Sequence, residues 1–285
     1  MKVLIVPNFS RADALEGARS LEGWLLDQGV DVLWAHDKKL FPGVDDSAEG
    51  CDLVVSLGGD GTLLRAARIV GYEGIPIVGI SYGHLGFLTA AGPEDLVATV
   101  EDALAGELHV SRRATLDVEC EFERADGSTY VRHGFALNDL AVARGGAGNM
   151  IEFDVSVSGK HIDRLRGDGF VVSTATGSTG YALASGGPIV TPEFTGMVCV
   201  PIAPHTIMAR AFLTSPSDVV EIEMSSERPS MRHFFVDGQP IAREKHSRGV
   251  RATVRRGRGD VILLDRSTQS FYDSVSRVFY GQVGK

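Results

Sequence analysis

The chain has 285 residues, 44% of them hydrophobic and 23% charged, a size and balance that suit about two soluble globular domains. Glycine accounts for 34 residues, about 12% against a usual ~7%, yet no Gly-X-Y period and no Pro-rich or Ser-rich tract accompanies it, which excludes collagen and low-complexity disorder. The net charge of −9 argues against a non-specific nucleic-acid binder or a membrane-surface protein.

The first third alternates strand and helix. Residues 2–6 form a short apolar strand, and Ser10 is placed to cap a helix that runs to about Gln28, where Gly29 stops it. Ala14, Leu15, Ala18, Leu21 and Leu25 fall on one face, as a helix covering a sheet requires. Residues 30–35, 52–57 and 75–80 are further β-branched runs, with a helical segment, LLRAARIV, between the last two. Strands alternating with helices predict a parallel, doubly wound sheet.

From about residue 110 the pattern becomes β-rich. Residues 115–122 and 129–135 flank Asp126-Gly127, a hairpin signal, and residues 150–157 lead to a second such signal at Ser158-Gly159. Strand-like runs continue at 219–224, 233–236 and 250–264, and only one helix, near 179–185, interrupts them. In the tail, Phe271, Val275, Val278 and Phe279 fall at helical spacing and predict a helix over 269–280. The domains expected are 1–110, with 267–285 returning to it, and 111–266. Cys51, Cys120 and Cys199 form no CxxC pair, the N-terminus carries no signal-peptide pattern, and no apolar stretch reaches 18 residues. A reducing cytoplasm and no membrane are the expectation.

The strongest local signal is Gly58-Gly59-Asp60-Gly61-Thr62, which follows a buried strand and opens a helix. There the backbone N–H groups and the helix dipole face an anion, and glycine lets phosphate oxygens approach without a Cβ in the way. Asp60 would repel phosphate, so its presence fits a proton acceptor for an attacking hydroxyl or a ligand for Mg²⁺; the plain alternative is a tight turn. The pattern is neither Walker A nor the dinucleotide GxGxxG, and the first strand-to-helix turn, residues 7–10, has no glycine.

A second signal is Gly167-Asp168-Gly169, an apolar strand, then Ser173-Thr174-Ala175-Thr176-Gly177-Ser178-Thr179-Gly180-Tyr181. Its hydroxyls suit a polar ligand edge or a phosphate, and the Tyr181 ring can stack on a base; an over-capped helix start reads equally well. Asn138 and Asp139 open a strand, where an amide and a carboxylate can bind adenine or ribose hydroxyls, or simply make a turn. His84 and His205 read as structural histidines. Residues 243–258 carry seven Lys or Arg against Glu244, either a solvated sheet surface or a phosphate or subunit contact.

The ordered set GGDGT at 58–62, GHLGFL at 83–88, LND at 137–139, GDGFVVSTATGSTGYALASGGPIV at 167–190, PIAPHT at 201–206 and VDGQ at 236–239 resembles the NAD kinases over essentially the whole chain. The turn alone is shared with diacylglycerol and sphingosine kinases, so a lipid kinase and a non-catalytic nucleotide-binding regulator stand as the other readings. The resemblance implies an α/β N-terminal domain with a parallel Rossmann-like sheet and a mostly antiparallel β-rich C-terminal domain. It implies transfer of a phosphoryl group from ATP or polyphosphate to the adenosine 2′-hydroxyl of NAD, with Mg²⁺ as cofactor, by a cytoplasmic homodimer or homotetramer. In that reading Asp60 is catalytic, and Gly58, Gly59, Gly61 and Thr62 bind phosphate. Asn138, Asp139, Asp168, Thr176, Thr179, Gly180 and Tyr181 bind NAD. Asp139 stands where the family has Glu, one methylene longer, and Ala175 and Gly180 replace the family's Pro and Ala.

Overall fold

The alternating first third folds, in chain order, as β1 (Lys2–Pro7), α1 (Ala12–Asp27), β2 (Asp31–Trp34), β3 (Leu53–Gly58), α2 (Asp60–Val70), β4 (Ile77–Ser81), α3 (Leu96–Ala105) and β5 (His109–Arg113). The computed structural model describes every residue except 42, 84–85, 146–148, 226–231, 243, 245–246, 268–269 and 282–285, together with the side chain of residue 270. Strands β6 (Leu116–Glu123), β7 (Thr129–Ala136), β8 (Asp139–Arg144), β9 (Ile151–Val157), β10 (Lys160–Gly167) and β11 (Gly169–Ser173) follow. After them come α4 (Tyr181–Ala184), β12 (Val198–Ile202), β13 (Phe212–Leu213), β14 (Val219–Met224), β15 (Arg232–Val236), β16 (Gln239–Pro240), β17 (Arg248–Arg256), β18 (Val261–Asp265) and α5 (Ser270–Tyr280). The chain divides into two compact units, Met1–Arg112 with Asp260–Lys285, and Arg113–Gly259.

The first unit is built on one sheet of order β2-β1-β3-β4-β18-β5. Pairing is parallel between β1 and both β2 and β3, between β3 and β4, and between β4 and β18. Strands β3 and β4 are buried along their whole length, which is why they read as continuous aliphatic runs rather than alternating ones. Helix α1 covers the sheet through Ala14, Ala18, Leu21 and Leu25. The expected cap at Ser10 is not made: Arg11 holds the N-cap position without a side-chain cap. Asn8 Oδ1 instead accepts the Ser10 N–H at 3.0 Å, and Asp13 Oδ1 accepts that of Ala14 at 2.9 Å. Helix α3 was not anticipated; it enters through a 3₁₀ turn at Pro93–Asp95 and buries Leu96, Thr99 and Val100. The run read as 250–264 is two strands in different sheets, because Gly257 and Gly259 break it between β17 and β18. From α5, Phe279 stacks on Phe87 at 5.8 Å between ring centroids, and Phe271 lies tilted 6.3 Å from the same ring.

The second unit holds two antiparallel sheets, of order β10-β9-β14-β17-β6-β7 and β13-β12-β11-β8-β15-β16. Strand β6 alternates buried and partly exposed positions residue by residue, the signature of a strand with one face on a core. Phe122 and Phe153 from the first sheet meet Phe170 and Phe234 from the second in one apolar cluster. Both hairpin signals close as read: β6 and β7 about Asp126-Gly127, β9 and β10 about Ser158-Gly159. The expected helix begins earlier, as a 3₁₀ turn Thr176–Thr179 followed by α4. The basic segment is the strand β17, where Arg248 faces Glu123 across the ladder at 2.8 Å and Arg251 pairs with Glu221. These cross-strand partners account for two of its charges; Arg243 and Lys245 lie outside the described residues.

Candidate functional site

In the first unit, Gly58, Gly59, Asp60, Gly61 and Thr62 turn the end of β3 into the first turn of α2, with Gly59 at the N-cap in an extended conformation. A parallel sheet presents its ligands at such strand ends. Asp60 opens the helix with one carboxylate oxygen, Oδ1, buried and without a hydrogen-bond partner among the described residues. The other oxygen accepts the Phe87 N–H at 3.4 Å. Burial raises the Asp60 pKa, and the Phe87 and Leu88 N–H groups oppose that rise. Gly86 lies so close above the carboxylate that a Cβ there would sit 2.2 Å from Oδ1. His84 and Leu85 of the same loop lie outside the described residues.

Beside this turn a pocket of about 350 Å³ is lined by Gly59, Gly61 and Thr62 together with Asn8, Ser10, Asp37, Lys38, Lys39 and Arg65. Lys39 Nζ donates to Ser10 Oγ at 3.1 Å, and Arg65 donates to the buried Asp46 at 3.1 Å while lying over the Phe9 ring. The three cations were not singled out from the sequence. Lys38 and Lys39 follow β2 at the same sheet edge as the glycine turn, so the rule that ligands gather at strand ends was the signal that could have found them.

In the second unit the structure packs the Asn138 backbone, at the start of β8, on Ser173, Thr174 and Gly177, the residues that lead into the turn carrying Thr176, Thr179, Gly180 and Tyr181. The Asn138 carbonyl accepts the Thr174 N–H at 2.8 Å and the Ser173 hydroxyl at 3.1 Å. Gly177 packs so tightly on that carbonyl that a Cβ would lie 2.3 Å from its oxygen. Several hydroxyls of the expected cluster serve the turn itself: Thr174 Oγ1 donates to the Leu137 carbonyl at 2.6 Å, and Ser178 Oγ accepts the Val190 N–H at 3.0 Å. Thr179 Oγ1 donates to the Thr176 carbonyl at 3.3 Å, and the Tyr181 ring is 45% exposed, open to a stacking partner. Asp139 is 5% exposed, and burial followed by the nearby Asp237 charge pushes its carboxyl up to about 7. Asp237 was visible only as part of VDGQ. Asp168 is not part of this group. It precedes β11, whose far end carries Ser173, roughly 16 Å away along a five-residue strand at ~3.3 Å per residue. There it pairs with Arg144 at 2.6 Å.

A glycine-rich strand-to-helix turn, a cationic pocket and a half-buried carboxylate with one oxygen left over are the parts of a phosphoryl-transfer enzyme. The chain matches the family models of the ATP-NAD kinase N-terminal domain over residues 42–108 and of the ATP-NAD kinase C-terminal domain over 137–264. It is 35% identical to an NAD kinase of Polaromonas sp. over 281 residues, 94% of each chain, and 36% identical to one of Polaromonas naphthalenivorans, covering 99% of this chain and 97% of that one. Among solved structures, an NAD kinase from Archaeoglobus fulgidus in complex with ATP superposes with a TM-score of 0.74 at 26% identity, covering 97% of both chains. Yeast NADH kinase complexed with NADH shares the fold, with a TM-score of 0.84 at 21% identity over 100% of this chain and 89% of that one. The protein belongs to the NAD kinase family, and it is a phosphotransferase with an alcohol group as acceptor.

Proposed function

We propose that this enzyme transfers the terminal phosphoryl group of ATP or polyphosphate to the adenosine 2′-hydroxyl of NAD, giving NADP, as a cytoplasmic homo-oligomer. The observation that carries the reading is Asp60: a carboxylate with an unpartnered buried oxygen and a raised pKa, at a turn whose other members are glycine N–H groups. Raising a carboxylate's pKa makes its ionised form a stronger proton acceptor. Asp60 takes the 2′-hydroxyl proton as the hydroxyl oxygen attacks the terminal phosphorus, and the bond from that phosphorus to the bridging oxygen breaks, so that ADP or the shortened polyphosphate leaves with the bonding electrons. The N–H groups after Gly58 and the Lys38, Lys39 and Arg65 side chains hold the donor phosphates. Asn138 and Asp139 hold the nucleoside, with Thr176, Thr179 and Gly180 beside them and the Tyr181 ring on a base. Asp168, standing apart with Arg144, contacts a different portion of the dinucleotide.

The residues fit a divalent cation carried in with the donor rather than one held by a protein cage. Among the described residues no group of three His, Cys, Asp or Glu side chains could hold a metal ion, whereas Mg²⁺ needs only one or two carboxylates when phosphates supply the rest. Asp60 in the turn and Asp37 on the wall of the pocket beside it are carboxylates that could join such a cation, which would neutralise charge on the transferring group. No helix among the described residues is long and apolar enough to cross a membrane. The test is direct: incubate the protein with NAD and either MgATP or polyphosphate, and follow NADP with an NADP-specific dehydrogenase. NADP is expected with at least one donor; no product with either would falsify the reading.

A further inference from the structure

The hairpin tip between β15 and β16 is Asp237-Gly238, and Asp237 sits there with φ +46° in the left-handed region, unusual for a residue with a side chain. Its carboxylate collects three successive backbone N–H groups: Leu137 at 3.1 Å on Oδ2, and Asn138 at 2.7 Å and Asp139 at 3.2 Å on Oδ1. Its own N–H donates to the Asp139 carbonyl at 3.0 Å. The Asn138 peptide is thus held on both sides, its N–H by Asp237 and its C=O by Thr174 and Ser173. What remains of Asn138 is its side chain, whose Oδ1 is buried without a partner among the described residues.

We propose that Asp237 is a positioning residue that fixes the Leu137–Asn138–Asp139 turn so that the Asn138 amide and the Asp139 carboxyl are presented to the nucleoside of the acceptor. The proposal rests on the reading of Asn138 and Asp139 as acceptor-binding groups. Three N–H donors converging on one carboxylate hold its negative charge firmly and draw the turn into one conformation. That carboxylate also adds to what burial does to its neighbour, Asp139. Asp237 is the charged group that faces Asp139, and with its own charge held by N–H donors it leaves Asp139 as the partner that keeps the proton. A protonated Asp139 can donate a hydrogen bond as well as accept one.

Steady-state kinetics of Asp237→Asn test this. The amide keeps the shape but turns an N–H group towards the Leu137 N–H, so the turn loses an acceptor and the charge together. KM for NAD is expected to rise about tenfold to a hundredfold, with KM for the phosphoryl donor within about threefold of wild type, and Asp237→Glu is expected to recover part of the loss. The double variant with Asn138→Ala should raise KM for NAD by clearly less than the product of the two single effects, because Asp237 acts in part through that side chain. An unchanged KM for NAD, equal rises in both KM values, or additive effects in the double variant would overturn the proposal. If Asp237→Asn does not fold, Asp237→Glu alone carries the same comparison, with the charge kept and displaced by one methylene. Wild-type turnover of NAD, measured in parallel, separates failure of this proposal from failure of the functional reading.

Discussion

Two carboxylates define the chemistry at the residue scale, and they are perturbed for related reasons. Asp60 loses hydration beneath Gly86 and regains only weak N–H support, so its proton affinity rises. Asp60→Asn is expected to lower turnover by roughly 10²–10⁴, the range for losing a general base, with little change in KM for NAD. A pH–rate profile should show a limb rising with pH, as Asp60 ionises, that the variant lacks; a loss under about tenfold would leave Asp60 a structural residue. Asp139 makes a prediction about stability. Its carboxyl titrates near 7 in the fold against an ordinary 3.8, so between those values the native state holds a proton that the unfolded chain has released. Stability therefore falls as pH rises through that window, and the penalty is complete above it. Asp139→Asn should melt higher than wild type at pH 8, by roughly 2–4 °C for each kcal/mol relieved, and level with it near pH 4. Thermal scans at the two pH values decide it; equal melting temperatures at both would mean that folding does not raise the Asp139 pKa.

At the element scale, the Gly58–Thr62 turn is supported from a segment far away in sequence. Phe87 contributes its N–H to Asp60 and its ring to Phe279 and Phe271 on α5, so the C-terminal helix holds the loop that holds the carboxylate. Phe279→Ala is expected to lower kcat about twofold to tenfold while leaving KM for NAD unchanged. Gly86→Ala, whose Cβ would displace the carboxylate itself, should cost more than tenfold in kcat. Measured kcat and KM for both variants check this, and a fall confined to KM would detach α5 from the site. The sequence displayed these elements unevenly. The glycine turn at 58–62 was legible because its chemistry is local: three glycines and one acid between a buried strand and an amphipathic helix. Helix α3 was missed because its apolar residues Leu96, Val97, Val100, Ala103 and Leu104 follow no strong cap, only a 3₁₀ turn. The β17–β18 break was available in Gly257 and Gly259 but was obscured by the β-branched residues on either side. The role of Asp237 could not be read locally, since it depends on β15 pairing with β8 about a hundred residues earlier.

For the whole molecule, the glycine excess and the acidic charge answer one problem: how a chain at −9 binds two polyanions. Under the proposed function bulk charge repels both substrates, and attraction would be local, from backbone N–H groups at Gly58–Thr62, from Lys38, Lys39 and Arg65 on the pocket wall, and from a cation arriving with the donor. Because the described residues offer no three-ligand metal cluster, removing the cation should abolish turnover without lowering the melting temperature, as scans with and without chelator will show. The same division of charge fixes the salt response. Added salt weakens the repulsion from the acidic surface, which acts over a Debye length of about 8–10 Å near physiological strength, and this favours binding. It also weakens the contacts of the exposed Lys38 and Lys39, which opposes binding, while the partly buried Arg65 and the turn N–H groups are screened less. The two effects oppose, so KM for the donor should change by less than about threefold between ~0.05 and ~0.3 M salt, unlike the steep loss of a protein that binds polyanions by surface charge. Lys38→Ala with Lys39→Ala removes the opposing contacts and leaves only the repulsion to be screened. In that variant KM for the donor should be higher at low salt and should fall as salt is added. A wild-type KM that climbs tenfold over the same range would mean that exposed cations carry the donor, and that the glycine turn contributes little to holding it.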